Sequence, residues 1–69
     1  MNNNISNNIK VLRKRRRLSQ AGLGIAVGFS RSKISNWEIG RRAITIEEAM
    51  ILADYFKITL DELVREKFE

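Results

Sequence analysis

The sequence predicts an all-α fold, a compact domain of five short helices. The chain has only 69 residues and no proline, which favours one domain with a single core. Its apolar residues recur every three to four positions, the spacing of helical faces. Residues typical of helix starts and stops then divide the chain into five segments and leave no room for a sheet.

The first two helices are separated by a short junction. Helix 1 ends near Arg17. Its apolar face consists of Ile5, Ile9 and Leu12. Ser19 is a typical N-cap residue, so helix 2 is expected over residues 20–27. Gly28 ends this helix, because glycine readily adopts the left-handed conformation that follows many helices.

Helix 3 follows after a very short turn. Ser30, only two residues after Gly28, is the next N-cap candidate. Helix 3 therefore begins at Arg31 and ends just before Gly40. Two short helices joined by a turn of three or four residues form a helix-turn-helix motif.

Helices 4 and 5 each begin with a predicted capping box, Thr45 with Glu48 and Thr59 with Glu62. The apolar stripe predicted for helix 4 is Ile46, Ala49, Met50, Ala53 and Phe56. The inner residues predicted for helix 5 are Leu60 and Leu63. We expect the domain to span residues 9–66. Residues 1–8 are rich in asparagine and form either a polar N-terminal arm or the start of helix 1.

Composition narrows the possible functions. The sequence contains no cysteine and no histidine, which excludes disulfides, thiolate nucleophiles, the usual zinc ligands and imidazole bases. No apolar run approaches the roughly 20 residues of a membrane span. We therefore expect a cytoplasmic binding protein that is not an enzyme, with no metal, cofactor, small-molecule ligand or membrane partner.

Charge is distributed unevenly along the chain. Residues 1–42 contain ten Lys or Arg and one acid, whereas residues 43–69 contain three Lys or Arg and seven acids. A basic half on a folded domain favours a polyanion partner. Charge alone leaves a second interpretation open, in which the basic runs are simply solvated helix faces.

Helix 3 has one apolar and one polar side. Ile34 and Trp37 fall together on the side that would anchor the helix. The presented side consists of Arg31, Ser32, Ser35 and Asn36. Arginine can bridge O6 and N7 of guanine, and asparagine can bridge N6 and N7 of adenine. Any amphipathic helix has a polar face, so an ordinary solvated face remains the alternative at this stage.

Several spaced segments stand together in one register, namely Leu18-Ser19-Gln20, Gly28-Phe29-Ser30-Arg31, Ile34-Ser35-Asn36-Trp37-Glu38 and Gly40. With them, residues 9–63 resemble the phage repressor and Cro (XRE-like) helix-turn-helix family. The resemblance implies a lambda-repressor-like DNA-binding domain that binds operator DNA, usually as a dimer, and controls transcription. It also implies that the presented residues of helix 3 are base readers.

The chain departs from this family pattern at a few positions. Gly22 stands where the family often has glutamate or a similar residue, and Gly24 stands where it commonly has alanine. Within a helix, each glycine costs about 1 kcal/mol relative to alanine. Gly24 keeps the small size that lets helices 2 and 3 cross closely. Arg17 and Lys57 stand where glycine often ends helices 1 and 4, and Ile44 stands where proline is frequent.

Further residues receive roles from their positions. Gln20 at the start of helix 2, and Arg41 and Arg42 after helix 3, are expected to contact phosphate. Lys33 on the flank of helix 3 is also expected to contact phosphate. For the two arginines, solvation alone is the alternative. The resemblance implies that Arg13 and Glu38 form a structural ion pair.

Two apolar pairs suggest a homodimer surface. Ile51 and Tyr55 are spaced i,i+4 on helix 4, and Val64 and Phe68 repeat this spacing near the C-terminus. Exposed apolar pairs on a small domain are typical of a partner surface. The alternative is that Tyr55 and Phe68 cover the edge of a small core.

The sequence therefore favours a transcriptional regulator, such as a repressor, that reads a palindromic double-stranded DNA operator in the major groove with helix 3. The alternative is a protein-interaction module on the same fold that has no specific DNA binding. The regulator should bind operator and random duplex with very different affinities, whereas the interaction module should bind duplex weakly and without preference.

Overall fold

The computed structural model describes residues 4–69 and confirms the predicted five-helix, all-α architecture. The helices are α1 (Ile5–Arg15), α2 (Gln20–Val27), α3 (Arg31–Glu38), α4 (Ile46–Phe56) and α5 (Leu60–Arg65). This described part of the chain contains no strand. None of its helices has the length and apolarity needed to cross a membrane.

The start of α1 bears on the two interpretations of the first eight residues. The helix begins at Ile5, so residues 5–8 belong to helix 1 rather than to a polar arm. The first three residues of the expected arm lie outside the described residues.

Side-chain caps define the start of the other four helices. Ser19 accepts a hydrogen bond from the backbone N–H of Gly22, and Ser30 accepts one from that of Lys33. Both capping boxes predicted for α4 and α5 are complete. Each cap contributes about 0.5–2 kcal/mol. Helices this short are marginal in isolation, so the caps and the shared core together hold them.

Among residues 4–69, four adopt the left-handed backbone conformation. Two are glycines, Gly28 (φ 85°) and Gly40 (φ 74°). The other two are Arg17 (φ 57°), which follows the C-cap of α1, and Lys57 (φ 60°), the C-cap of α4. A side chain in this conformation costs about 1–2 kcal/mol, so both departures from the family pattern carry strain.

Gly24 lies where α2 and the turn before α3 come closest. A Cβ atom placed on it would stand 2.4 Å from the backbone carbonyl oxygen of Phe29. A side chain at this position would therefore force the backbone of the crossing to shift, an effect separate from helix propensity.

The core is formed by residues from all five helices. Its members are Ile9, Leu12, Leu23, Ile34, Trp37, Ala49, Leu52, Ala53, Phe56 and Leu63. The stripe predicted for α4 was wrong in part. Ile46 and Met50 are 69% and 50% exposed, whereas Leu52 is fully buried. Because α4 carries apolar residues on several sides, two different faces fit the helical spacing, and packing selects the one that contains Leu52.

Asn8 is a buried polar residue that joins α1 to the end of α5. It is fully buried. Its Nδ2 donates to the carbonyl oxygens of Leu63 at 2.7 Å and Glu66 at 2.6 Å. Its Oδ1 accepts a hydrogen bond from the backbone N–H of Phe68 at 3.0 Å. The C-terminal carbonyls of a helix lack intrahelical partners, and Asn8 supplies one from α1.

Candidate nucleic-acid interface

The helix α3 is anchored on one side and open on the other. Ile34 and Trp37 are 0% and 1% exposed. The ring of Trp37 also meets Phe29 edge-on, with 5.2 Å between the ring centroids. On the opposite side, Arg31 and Ser32 at the N-terminal end of the helix are exposed. The anchoring residues therefore fix which side chains the helix presents.

The rest of the presented side lies nearer the C-terminal end of α3. Ser35 and Asn36 are half-buried. The backbone carbonyl of Asn36 accepts hydrogen bonds from the N–H groups of Arg41 at 2.9 Å and Arg42 at 3.3 Å. The loop after α3 consequently folds back on the helix end. Arg41 and Arg42 are exposed beside the presented side.

Three arginines near this surface have uncommitted guanidinium groups. Within residues 4–69, the side chains of Arg31, Arg41 and Arg42 form no ion pair or hydrogen bond. Their charge is therefore available to an anion from outside the protein. Arginine suits this purpose, because its planar guanidinium binds phosphate and base edges through two parallel hydrogen bonds.

Arg13 and Glu38 form a two-bond ion pair behind this surface. The Nε and Nη2 atoms of Arg13 donate to the carboxylate of Glu38 at 2.7 and 3.0 Å. Nη1 of Arg13 donates to the carbonyl of Leu18 at 2.8 Å. The hydrogen bond to Glu38 raises the pKa of Arg13, although burial opposes it. The pair connects α1 to the end of α3, and its guanidinium is occupied within the protein.

Gln20 joins the same cluster at the start of α2. Its Nε2 donates to Glu38 at 3.1 Å. A side-chain amide nitrogen carries two hydrogens, so one of them remains for a further acceptor. Gln20 is the first residue of α2 and is tied to the ion pair through Glu38.

The position of Lys33 differs from the sequence expectation. Its ammonium lies 2.5 Å from the carboxylate of Glu48 on α4. It also lies over the rings of Phe29 and Trp37, at 5.1 and 5.9 Å from their centroids. The charge of Lys33 is thus paired within the protein in this structure, whereas the sequence predicts that it contacts phosphate; that contact stays a prediction. The capping box gave a local role for Glu48, but no local signal showed that its carboxylate also faces α3.

Two further basic residues are engaged with aromatic rings. The guanidinium of Arg16 lies 4.8 Å from the ring centroid of Tyr55. That of Arg15 lies 5.5 Å from the centroid of Phe68. Tyr55 and Phe68 are half-buried and pack against the core. This arrangement matches the alternative in which they cover the core edge.

The other two residues of the expected dimer surface differ in exposure. Ile51 is 43% exposed, whereas Val64 is half-buried. Apart from Ile46, the most exposed large apolar residues of the described chain are Ile25 at 86% and Ile39 at 63%. Sequence reasoning did not single out either residue. Ile39 follows Ser35 and Asn36 by one turn, and that spacing was a signal available in the sequence.

Comparison with known proteins supports a shared architecture. A helix-turn-helix family model matches residues 9–63. The P22 c2 repressor, solved in complex with synthetic operator 9T, is 30% identical with a TM-score of 0.78, and the match covers 86% of this chain and 89% of that one. The restriction-modification controller protein C.AhdI from Aeromonas hydrophila is 28% identical with a TM-score of 0.79, covering 87% and 91%.

A transcriptional regulator from Listeria innocua has the same fold at lower identity. It is 23% identical with a TM-score of 0.86, and the match covers all of this chain and 64% of that one. No curated protein sequence matches this chain significantly.

Proposed function

The chain belongs to the helix-turn-helix family, and we propose that it is a transcriptional regulator that reads a specific duplex DNA sequence with α3. The observation that carries this proposal is the exposed N-terminal end of α3. There Arg31 and Ser32 are exposed to solvent, on the side opposite the buried Ile34 and Trp37. The N-terminal end of a recognition helix enters the major groove most deeply. The P22 c2 repressor, solved on operator DNA, supports the same use of this fold.

Base reading is assigned to the presented side of α3. Arg31 is proposed to bridge O6 and N7 of a guanine, and Asn36 to meet an adenine or the backbone one turn later. Ser32 and Ser35 accommodate either donors or acceptors. Such contacts supply sequence preference, because each base pair displays a distinct pattern in the major groove.

Phosphate binding is assigned to the residues on either side of α3. Arg41 and Arg42 are exposed and unpaired within the described residues. Gln20 has one amide hydrogen left and stands at the N-terminus of α2, where the helix dipole favours anions. Contacts of this kind fix the register of the protein on the duplex and bind all sequences alike.

A homodimer on a palindromic operator is the proposed assembly. Two copies would place their α3 helices about 34 Å apart, one turn of the duplex, in successive major grooves. Ile51 is the most accessible of the four residues that the sequence suggested for this contact, and Val64 lies half-buried near the C-terminus. Sedimentation with and without operator tests this point, and a monomer under both conditions at high micromolar concentration would exclude it.

Selection of bound sites from random duplex DNA tests the function itself. We expect one symmetric sequence to be recovered and to bind far more tightly than random duplex. Arg31→Ala should lose about 1–3 kcal/mol of preference at one base pair. A protein-interaction module would instead recover no sequence and would bind duplex weakly. Recovery of a site whose preference is unaffected by Arg31→Ala would exclude α3 as the reading helix.

A further inference from the structure

Lys33 is the one basic residue of α3 that is held inside the protein. It lies between Ser32, which is exposed on the presented side, and Ile34, which is buried. Its ammonium is 2.5 Å from Oε2 of Glu48, and the two side chains are only 26% and 13% exposed. Arg31, two positions earlier, has no such partner within residues 4–69.

Two aromatic rings form the remaining environment of this ammonium. The centroids of Phe29 and Trp37 lie 5.1 and 5.9 Å from Nζ of Lys33, within the range of a cation–π interaction. A phosphate could replace the charge of Glu48, but Lys33 would lose both rings on moving outward. The observed position is therefore favoured by two kinds of contact.

Glu48 is itself held in place by the cap of α4. Its Oε1 accepts a hydrogen bond from the backbone N–H of Thr45 at 2.9 Å. Its own N–H donates to Oγ1 of Thr45 at 3.1 Å. The hydrogen bond from Lys33 lowers the pKa of Glu48, and the backbone of Thr45 lowers it further. One oxygen thus fixes the carboxylate on α4 while the other is free to hold Lys33.

We propose that Glu48 is a positioning residue that withholds Lys33 from the DNA backbone, so that α3 binds DNA through its unpaired arginine and polar residues. This inference rests on the proposed function. Each cation that neutralises a phosphate contributes about 0.9 to the dependence of log affinity on log salt. Withholding Lys33 removes one such contribution. It also removes a contact that would serve random sequence as readily as operator.

The geometry also accounts for the effect on specificity. In the operator complex, base contacts fix the orientation of α3. A random-sequence complex lacks this constraint, so a freed lysine could seek the nearest phosphate. Release of Lys33 should therefore strengthen binding to random duplex more than binding to operator.

Glu48→Gln is the variant that separates the two roles of this side chain. Glutamine serves as well as glutamate in a capping box, so the start of α4 is retained, and thermal unfolding checks this. We expect the salt slope for a random-sequence duplex to steepen by about one unit between roughly 50 and 200 mM salt. We also expect the ratio of affinities for the selected operator and random duplex to fall.

Two controls distinguish release of Lys33 from a general change of charge. Glu47→Gln removes the same charge from an exposed neighbour in the same helical turn and should leave the slope unchanged. The double variant Lys33→Met with Glu48→Gln should return the slope to that of the wild type. Lys33→Met alone should also match the wild type, because its charge does not reach the DNA.

The outcomes that overturn the proposal are distinct. An unchanged slope in Glu48→Gln, or an equal change in Glu47→Gln, would remove it. A slope shallower by about one unit in Lys33→Met alone would show that Lys33 leaves Glu48 when DNA binds. These results require that the wild type binds duplex. Absence of duplex binding by the wild type would refute the proposed function and this inference together.

Discussion

Replacing Glu38 with alanine removes a carboxylate that holds three donors. It accepts hydrogen bonds from Nε and Nη2 of Arg13 at 2.7 and 3.0 Å and from Nε2 of Gln20 at 3.1 Å. The side chains of Arg13 and Glu38 are 10% and 3% exposed. The variant therefore leaves a guanidinium without a counter-ion where little water reaches it. Only the hydrogen bond from Nη1 of Arg13 to the carbonyl of Leu18 remains.

The expected loss of folding stability follows from the burial of this ion pair. Removing one partner of a buried pair costs about 3–5 kcal/mol. Because Arg13 keeps one hydrogen bond and a narrow solvent edge, we expect the lower end of this range for Glu38→Ala. Each kcal/mol lowers the Tm of a domain of this size by about 4–8 °C, so the Tm should fall by roughly 12 °C or more.

Thermal unfolding followed by circular dichroism measures this effect, with Glu47→Ala as the matched control. Glu47 is exposed in the first turn of α4, where a carboxylate contributes only about 0.3–1 kcal/mol through the helix dipole. Equal Tm shifts for the two variants would show that the pair with Arg13 behaves as ordinary surface charge, and the reasoning would then fail.

Four further predictions concern stability. Asn8→Ala should destabilise the domain by at least about 2 kcal/mol in urea unfolding, because buried groups lose their partners, whereas Asn7→Ala, at an exposed residue, should have a much smaller effect. Lys57→Gly should raise the unfolding free energy by about 0.5–1 kcal/mol through relief of left-handed strain; a loss of stability would contradict this. Gly24→Ala should lower the Tm despite its gain in helix propensity, since its Cβ would clash with a backbone carbonyl; a rise in Tm would exclude the clash. Because the folded pKa of Glu48 is depressed below its usual value of 4.5, its contribution should be full above that pH and be lost on acidification through the lower folded pKa; Glu48→Gln should therefore flatten this part of the stability curve, and an unchanged curve would refute the assignment.

Local chemistry made most of the fold predictable. The starts of α2 and α3 depend on Ser19 and Ser30, whose hydroxyls bind backbone N–H groups three residues ahead. Such a cap involves neighbours in the sequence only, so a short window contains the whole interaction. The left-handed conformation of Arg17 and Lys57 was the exception, because neither residue type favours it and only the family pattern, with glycine at these positions, indicated it.

Contacts between distant segments were not predictable in the same way. Asn8 belongs to an asparagine-rich run, and its partners lie 55 to 60 residues away. Helical spacing places Asn8 on the same face as Ile5 and Leu12, unlike the exposed Asn7, but that spacing does not show partners at the other end of the chain. On α4, the apolar residues satisfied the helical spacing on two faces, and only the packing around Leu52 decides between them. The pairing of Arg13 with Glu38 was expected from the resemblance to a family and not from spacing in this chain.

At the candidate interface, too, the sequence shows the number of basic residues but not which of them are free of partners within the protein. The basic half of the chain predicts a polyanion partner, but its cations have different surroundings. Several are occupied within the protein, namely Arg13, Arg15, Arg16 and Lys33. Those left unpaired around α3 within the described residues are Arg31, Arg41 and Arg42. The acidic residues that make the net charge smaller also select which cations remain, since Glu38 and Glu48 each hold one of them. The unpaired charge around α3 therefore lies at the end and flank of the helix that carries the proposed base readers.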